Sequence, residues 1–169
     1  MNKLTKNRLL IYLSLFLALG IDSYNFSNSL QLFKPSFTLL VLIYWNMALP
    51  DKVGITTSLL FGIFIDLMEG SLLGLHPMLF VLISYLCQRF FYQFRIAPLW
   101  QQSSFIFIIA LFLKQILALD LLDSDLEKSN FSDLGYFFTS FNYAFLSSLT
   151  WPFVFYLCRK YRRRFSQSV

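Results

Sequence analysis

The chain alternates between long apolar stretches and short polar segments, and this pattern predicts six membrane-spanning helices. The apolar stretches cover residues 9–26, 32–49, 53–73, 78–91, 105–122 and 136–157. A helix needs roughly 20 largely apolar residues to cross a bilayer, and most of these stretches reach or approach that length. We therefore predict an all-α integral membrane protein in which residues 1–169 form one multi-pass membrane domain.

The second stretch needs help from its flanking polar residues to be long enough. Its continuous apolar part, which starts at Phe37, is too short to cross a bilayer. We therefore expect the helix to begin near Leu32, with Lys34 extending its amine outward to the membrane surface. Pro35 suits the first turn of such a helix, and Pro50 begins a tight turn into the third stretch.

Small or polar residues recur at every fourth position of the third stretch. Positions four apart on an α-helix form an inclined row on its surface. In a bilayer such a row lets another helix backbone come close, typically in a right-handed crossing. Two interpretations stay open, namely an internal packing seam or a site where a partner helix or a ligand docks. The row consists of Gly54, Ser58, Gly62, Asp66, Gly70 and Gly74.

Two charged residues, Asp66 and Lys114, are predicted to lie inside the membrane. A charge at the centre of a bilayer costs about 3 kcal/mol or more, so each side chain needs a partner or a route to water. If the third and fifth helices touch, the two side chains can pair directly. Otherwise the flexible stem of Lys114 can carry its amine to the membrane surface.

The basic residues predict the orientation of the helices. Six spans place both termini on one side, and basic residues in short loops favour the cytoplasm. Placing the termini there puts eleven basic residues inside and two, Lys34 and Lys128, outside. Only 14% of the residues are charged, against about a quarter in soluble domains, so the net charge of +5 indicates orientation and not nucleic-acid binding.

The sequence lacks the residue patterns of catalytic and metal sites. The one histidine, His76, is predicted at a surface turn without the serine and acid partners of a hydrolytic triad. There is no Walker loop, dinucleotide-binding glycine pattern or His/Cys metal spacing. Asp66 and Glu69 are too few carboxylates to hold a divalent metal against phosphate. We expect no catalytic residue, cofactor or metal, and we interpret Cys87 and Cys158 as packing residues.

Several motifs in combination resemble the MreD family of rod shape-determining proteins. Tyr44 and Trp45 followed by Pro50 form one block, with Lys34 and Pro35 ahead of it. A Gly-x3-Asp-x3-Gly-Ser-x2-Gly block follows in the third stretch. Trp100-Gln101-Gln102 and Trp151-Pro152 extend the resemblance over nearly the whole chain. The candidate functional residues are Pro35, Tyr44, Trp45, Pro50, Gly54, Gly62, Asp66, Gly70, Ser71, Gly74 and Lys114.

The resemblance implies a bacterial inner-membrane subunit of the complex that builds the cylindrical cell wall. Its partners would be MreC, MreB, RodA and penicillin-binding protein 2, together with membrane lipids. The family resemblance also implies a six-helix fold like that of the substrate-binding subunits of vitamin transporters. Two functions stay open: a non-enzymatic scaffold that docks partner proteins, or a small-molecule or lipid-binding transport subunit with Asp66 and Lys114 lining a polar cavity.

Overall fold

The protein is all-helical over the residues that its computed structural model describes, which are 3–23, 34–69, 73–90, 93, 96–123 and 133–166. Six helices follow one another in these ranges, which confirms the predicted all-α class. They are α1 (Lys3–Ser23), α2 (Phe37–Ala48), α3 (Ile55–Glu69), α4 (Leu75–Arg89), α5 (Leu99–Asp123) and α6 (Asp133–Ser166).

Helix α2 begins at Phe37, so the expected start near Leu32 is wrong. Residues 34–36 are not helical. The Ser36 hydroxyl accepts a hydrogen bond from the Leu39 backbone N–H at 3.3 Å and thereby caps the helix. The helix has 12 residues, which span only about 18 Å at 1.5 Å per residue. It is therefore much shorter than the hydrocarbon core of a bilayer, which is roughly 30 Å thick.

Four helices, namely α1, α4, α5 and α6, extend beyond their apolar stretches at one end or both. Helix α6 continues to Ser166, so the basic segment that starts at Arg159 prolongs the helix. Helix α4 begins at Leu75, which brings His76 and Pro77 into its first turn. A proline is tolerated there because the N–H groups of the first turn have no partner within the helix.

Helix α2 is the centre of the bundle. Every residue from 38 to 47 is buried, and the helix packs against α1, α4 and α6. Trp45 donates its indole N–H to the Ser14 hydroxyl on α1 at 2.8 Å. Asn46, which is fully buried, accepts hydrogen bonds from the Ser84 hydroxyl at 2.6 Å and from the Gln88 amide at 3.2 Å, both on α4. These bonds fix α2 against two neighbours in an otherwise apolar core.

The remaining helices form two closely packed pairs, α3 with α4 and α5 with α6. The second pair is joined by polar contacts near the start of α5. The Trp151 indole N–H donates to the Gln102 side-chain oxygen at 3.2 Å, and the Ser148 hydroxyl donates to the Ser103 carbonyl at 3.0 Å. Both bonds are inter-helical, so they set the register of α5 against α6.

The outer surface of the bundle is apolar. Large side chains such as Ile108, Phe112 and Phe153 are more than half exposed. Among the described residues, the segment Leu99–Leu117 is long and apolar enough to cross a membrane, and Leu9–Ser23 and Phe37–Ala48 are shorter apolar helices. An apolar exterior of this kind is suited to contact with lipid.

Candidate functional site

The helix ends surround a cavity of about 660 Å³ at one end of the bundle, which we call the capped cavity. Its wall combines the C-terminal ends of α1 and α3, the N-terminal ends of α2 and α4, and parts of α5 and α6. Since successive helices alternate in this way, neighbouring helices run in opposite directions. The polar side chains that line the cavity are Asp22, Ser23, Lys34, Ser36, Glu69, His76, Lys114 and Tyr143.

Asp22 caps the start of α2 at this cavity, and Lys34 caps the end of α1. The Asp22 carboxylate, near the end of α1, accepts hydrogen bonds from the backbone N–H groups of Phe37 at 3.0 Å and Thr38 at 2.7 Å, at the start of α2. In return, the Lys34 amine donates to the backbone carbonyls of Ile21 at 2.6 Å and Asp22 at 2.7 Å. The negative group lies at a helix N-terminus and the positive group at a helix C-terminus, which is the favourable arrangement for both dipoles. The prediction that the Lys34 amine extends outward is therefore wrong, because the amine turns back to the end of α1.

Asp66 caps α4 in the same manner. Its side chain is 1% exposed. One carboxylate oxygen accepts from the Gly74 backbone N–H at 2.6 Å, and the other accepts from the His76 backbone N–H at 3.3 Å. Gly74 is the N-cap residue of α4 and has φ of 114°, a conformation that is unfavourable for residues with a Cβ. The buried charge therefore has the hydrogen-bond partners that it needs, and these partners lie at the start of the next helix.

His76 is buried, which corrects its expected place at a surface turn. It is 5% exposed, and its Nδ1 lies 2.7 Å from the Asp66 carboxylate. Because a carboxylate can only accept, Nδ1 carries the hydrogen in this contact. The second ring nitrogen, Nε2, lies 3.6 Å from the Glu69 carboxylate at the rim of the cavity. The ring thus connects the buried Asp66 with the more exposed Glu69.

Lys114 lines the same cavity from α5. Its amine lies 4.9 Å from the centroid of the Tyr143 ring on α6, within the range of a cation–π contact. The hydrogen bonds described above orient Asp66 toward α4. Direct pairing of Asp66 with Lys114 stays a prediction.

The comparison with known proteins identifies the family. A family model described as rod shape-determining protein MreD matches residues 3–161. The chain is also 35% identical over 137 residues to the rod shape-determining protein MreD of Haemophilus influenzae, which covers 79% of this chain and 78% of that protein. The chain belongs to the MreD family. No solved structure matches it. MreD proteins are membrane proteins involved in rod shape determination, so the resemblance inferred from the motifs is confirmed.

The MreD match includes the row of small residues, of which Ser58, Gly62 and Asp66 lie on α3, and part of the row packs inside the chain. A Cβ placed on Gly62 would lie 2.5 Å from the Pro77 Cα of α4. The Ser58 hydroxyl donates to the Gly54 carbonyl at 3.1 Å within its own turn. At Gly62 the helix that approaches closely is therefore α4 of the same chain.

The other sequence-derived candidates do not gather at one place. Pro35 and Lys114 line the capped cavity, together with His76, a neighbour of Asp66. Tyr44 and Trp45 are buried in the middle of the bundle, and Pro50 lies in the turn after α2. Gly70 and Ser71 lie outside the described residues.

Asp22 and the role of His76 were not predicted from the sequence. A carboxylate near the end of an apolar stretch is the signal that could have identified Asp22, because such a group needs donors and the next helix N-terminus supplies them. Among the described residues, no group of three or more His, Cys, Asp or Glu side chains is arranged to hold a metal ion. The polar groups at the capped cavity hold helices together and leave an open volume between them.

Proposed function

We propose that this member of the MreD family is a non-enzymatic inner-membrane subunit of the cell-wall elongation complex that docks and positions its partner proteins. The family resemblance names MreC, MreB, RodA and penicillin-binding protein 2 as those partners. The observation that carries the proposal is the use of two carboxylates, the half-buried Asp22 and the buried Asp66, as helix caps.

Capping groups are suited to a scaffold because they hold helices in fixed positions. A carboxylate that accepts N–H groups at the start of the next helix satisfies donors that have no partner within that helix, and it thereby fixes the position of the helix end. Asp22 joins α1 to α2, and Asp66 joins α3 to α4, so each pair becomes a stiff unit. A stiff bundle with an apolar exterior can present partner-binding surfaces without carrying out a reaction itself.

The test is complementation of depleted rod-shaped cells. We expect cells without the protein to round and widen, and the wild-type chain to restore both cell width and co-purification of MreC with the synthases. Variants at Asp66, Gly70 and Gly74 should lose both cell width and recovery of the complex, because the Asp66 carboxylate accepts from the Gly74 N–H and Gly70 lies between these two residues in the sequence. Variants that restore shape while failing to recover the complex would show that assembly through α3 and α4 is not how the protein acts.

A second function, binding of a small molecule or lipid for transport, is favoured by the capped cavity. Its volume of about 660 Å³ falls in the range of ligand pockets, roughly 300–1,000 Å³, and its lining includes Lys114 and Glu69, although Asp66 is not part of the lining. A ligand held there would co-purify with the wild-type protein in mild detergent and be lost in Lys114→Met. Detection of such a ligand by mass spectrometry, with normal recovery of MreC from the same variant, would rank transport or lipid binding above docking.

We also propose that the chain crosses the inner membrane six times, with both termini in the cytoplasm. The alternating helix directions and the charge count support this topology. Single cysteines introduced at Asp51, in the turn between α2 and α3, and at Leu73, before α4, should then label from opposite sides of the membrane. Leu73→Cys should react with an impermeant reagent in spheroplasts, and Asp51→Cys should react only after the membrane is opened.

The native cysteines provide the background control for this labelling. Cys87 and Cys158 are buried, so the unmodified chain should react little. Reaction of both introduced cysteines from the same side would contradict the proposed topology.

A further inference from the structure

A second cavity lies at the opposite end of the bundle from the capped cavity. Its volume is about 250 Å³. It is enclosed by the C-terminal end of α2, the first turn of α5 and the C-terminal part of α6. Tyr44, Phe155, Arg159 and Arg162 contribute to its wall, and we refer to it as the arginine cavity.

Tyr44 brings an unsatisfied hydroxyl to the arginine cavity. Its side chain is 3% exposed, and its hydroxyl has no hydrogen-bond partner in the part of the chain that the structure describes. Leaving a buried hydroxyl without a partner is energetically unfavourable. Buried polar groups in native proteins are almost always hydrogen-bonded, so this one indicates a partner from outside the described residues, which a ligand can supply.

Two guanidinium groups face the same cavity from α6. The Arg159 guanidinium lies 5.9 Å from the centroid of the Phe155 ring, and the Tyr44 ring contacts the same Phe155 ring edge-on at 5.6 Å. Arg159 and Tyr44 therefore both pack against the ring of Phe155. Neither Arg159 nor Arg162 forms an ion pair with a carboxylate of the described residues.

The geometry points to the arginine cavity as a binding site for a phosphate group, supplied either by a phospholipid headgroup or by a soluble phosphate. Guanidinium groups bind phosphate through paired N–H donors, and a tyrosine hydroxyl adds a second kind of donor. The volume accommodates a phosphate and part of its ester substituent, but no acyl chain. The charge count places this end of the bundle at the cytoplasmic membrane surface, where anionic headgroups attract basic residues. This inference goes beyond the proposed docking function and does not depend on it.

The test uses the full chain in a neutral maltoside detergent at fixed ionic strength. The two probes are inorganic phosphate and dihexanoylphosphatidic acid, and the measurements are thermal shift and equilibrium binding. We expect Tyr44→Phe to weaken binding about tenfold, since one hydrogen bond to a charged group is lost. We expect Arg162→Gln to weaken it at least as much.

The matched control is Arg163→Gln, which removes the same charge from the exposed neighbouring position of α6. It should bind nearly as well as the wild type. Without ligand, Tyr44→Phe should unfold at the same temperature as the wild type or higher, because it removes an unpartnered hydroxyl and keeps the ring.

The probes separate the two sources of phosphate. Binding of both probes, or of inorganic phosphate alone, supports the site with a soluble phosphate as a sufficient ligand. Binding of the lipid alone supports the site with a headgroup as its ligand. Binding of neither probe overturns the inference. So does an equal loss in Arg163→Gln and Arg162→Gln, or a Tyr44→Phe variant with a lower unfolding temperature and unchanged affinity.

Discussion

Replacing Asp66 by leucine is expected to unfold or strongly destabilise the protein, with a much smaller loss for Asp66→Asn. The leucine variant leaves three donors without their acceptor: the backbone N–H groups of Gly74 and His76, and the His76 ring. Each buried unsatisfied group costs about 1–3 kcal/mol. Asparagine keeps one acceptor oxygen for these donors, so it should be intermediate. Thermal unfolding of the purified variants in detergent measures both effects.

A double-mutant cycle identifies the partner of Asp66. If His76 is the principal partner, the loss in Asp66→Leu with His76→Leu should be smaller than the sum of the single losses, because no donor ring is left stranded. If Lys114 is the partner, Asp66→Leu should instead be partly rescued by Lys114→Leu. The structure leads us to expect the coupling with His76. A larger coupling with Lys114, or a leucine variant as stable as the wild type, would contradict the capping role.

The second large effect is expected for Gly62→Ala, although only one methyl group is added. A Cβ at Gly62 would lie 2.5 Å from the Pro77 Cα, 2.6 Å from the Pro77 nitrogen and 2.9 Å from the His76 carbonyl carbon. These are backbone atoms, so relief requires α3 and α4 to separate. The separation would also pull His76 away from Asp66. We expect a loss of stability of about 3 kcal/mol, at the upper end of the usual cost of overpacking.

Gly20→Ala is the matched control for that substitution. Gly20 lies in α1, and a Cβ there would have no atom within 4 Å. Alanine is favoured over glycine in a helix by about 1 kcal/mol, so this variant should be at least as stable as the wild type. If Gly62→Ala proves equally stable and still recovers MreC, the close approach of α3 and α4 at Gly62 does not matter for folding or assembly.

The helices and the close approach on α3 could be predicted because both depend on local patterns. Apolar stretches separated by polar turns indicate helices whatever those helices pack against. Gly62 has no side chain, so it permits close contact with any neighbouring helix. Which helix fills the groove depends on the tertiary fold. The structure places Pro77 there, from the helix that follows α3 directly in the chain. The sequence of α3 needs a small residue at the point of close approach whether the neighbouring helix belongs to another protein or to the same chain.

The polar contacts at the capped cavity could be predicted only in part. The cost of a buried charge required partners for Asp66, and the structure supplies them. The sequence could not show that His76 would turn inward, because a histidine next to a proline is equally suited to a surface turn. The predicted start of α2 is wrong because the Ser36 side chain caps the helix, so the helix begins at Phe37 and not at an earlier residue. Length alone favoured an earlier start.

The capping of α2 by Asp22 and of α4 by Asp66 has a consequence for membrane insertion. In the proposed six-span topology, Asp22 has no donors from a neighbouring helix while α1 is in the bilayer by itself, and the start of α2 supplies them only once that segment has arrived. The same holds for α3 until α4 follows. Each aspartate therefore favours release of its helix from the insertion machinery as half of a hairpin, so the order of biogenesis follows from the positions of two carboxylates.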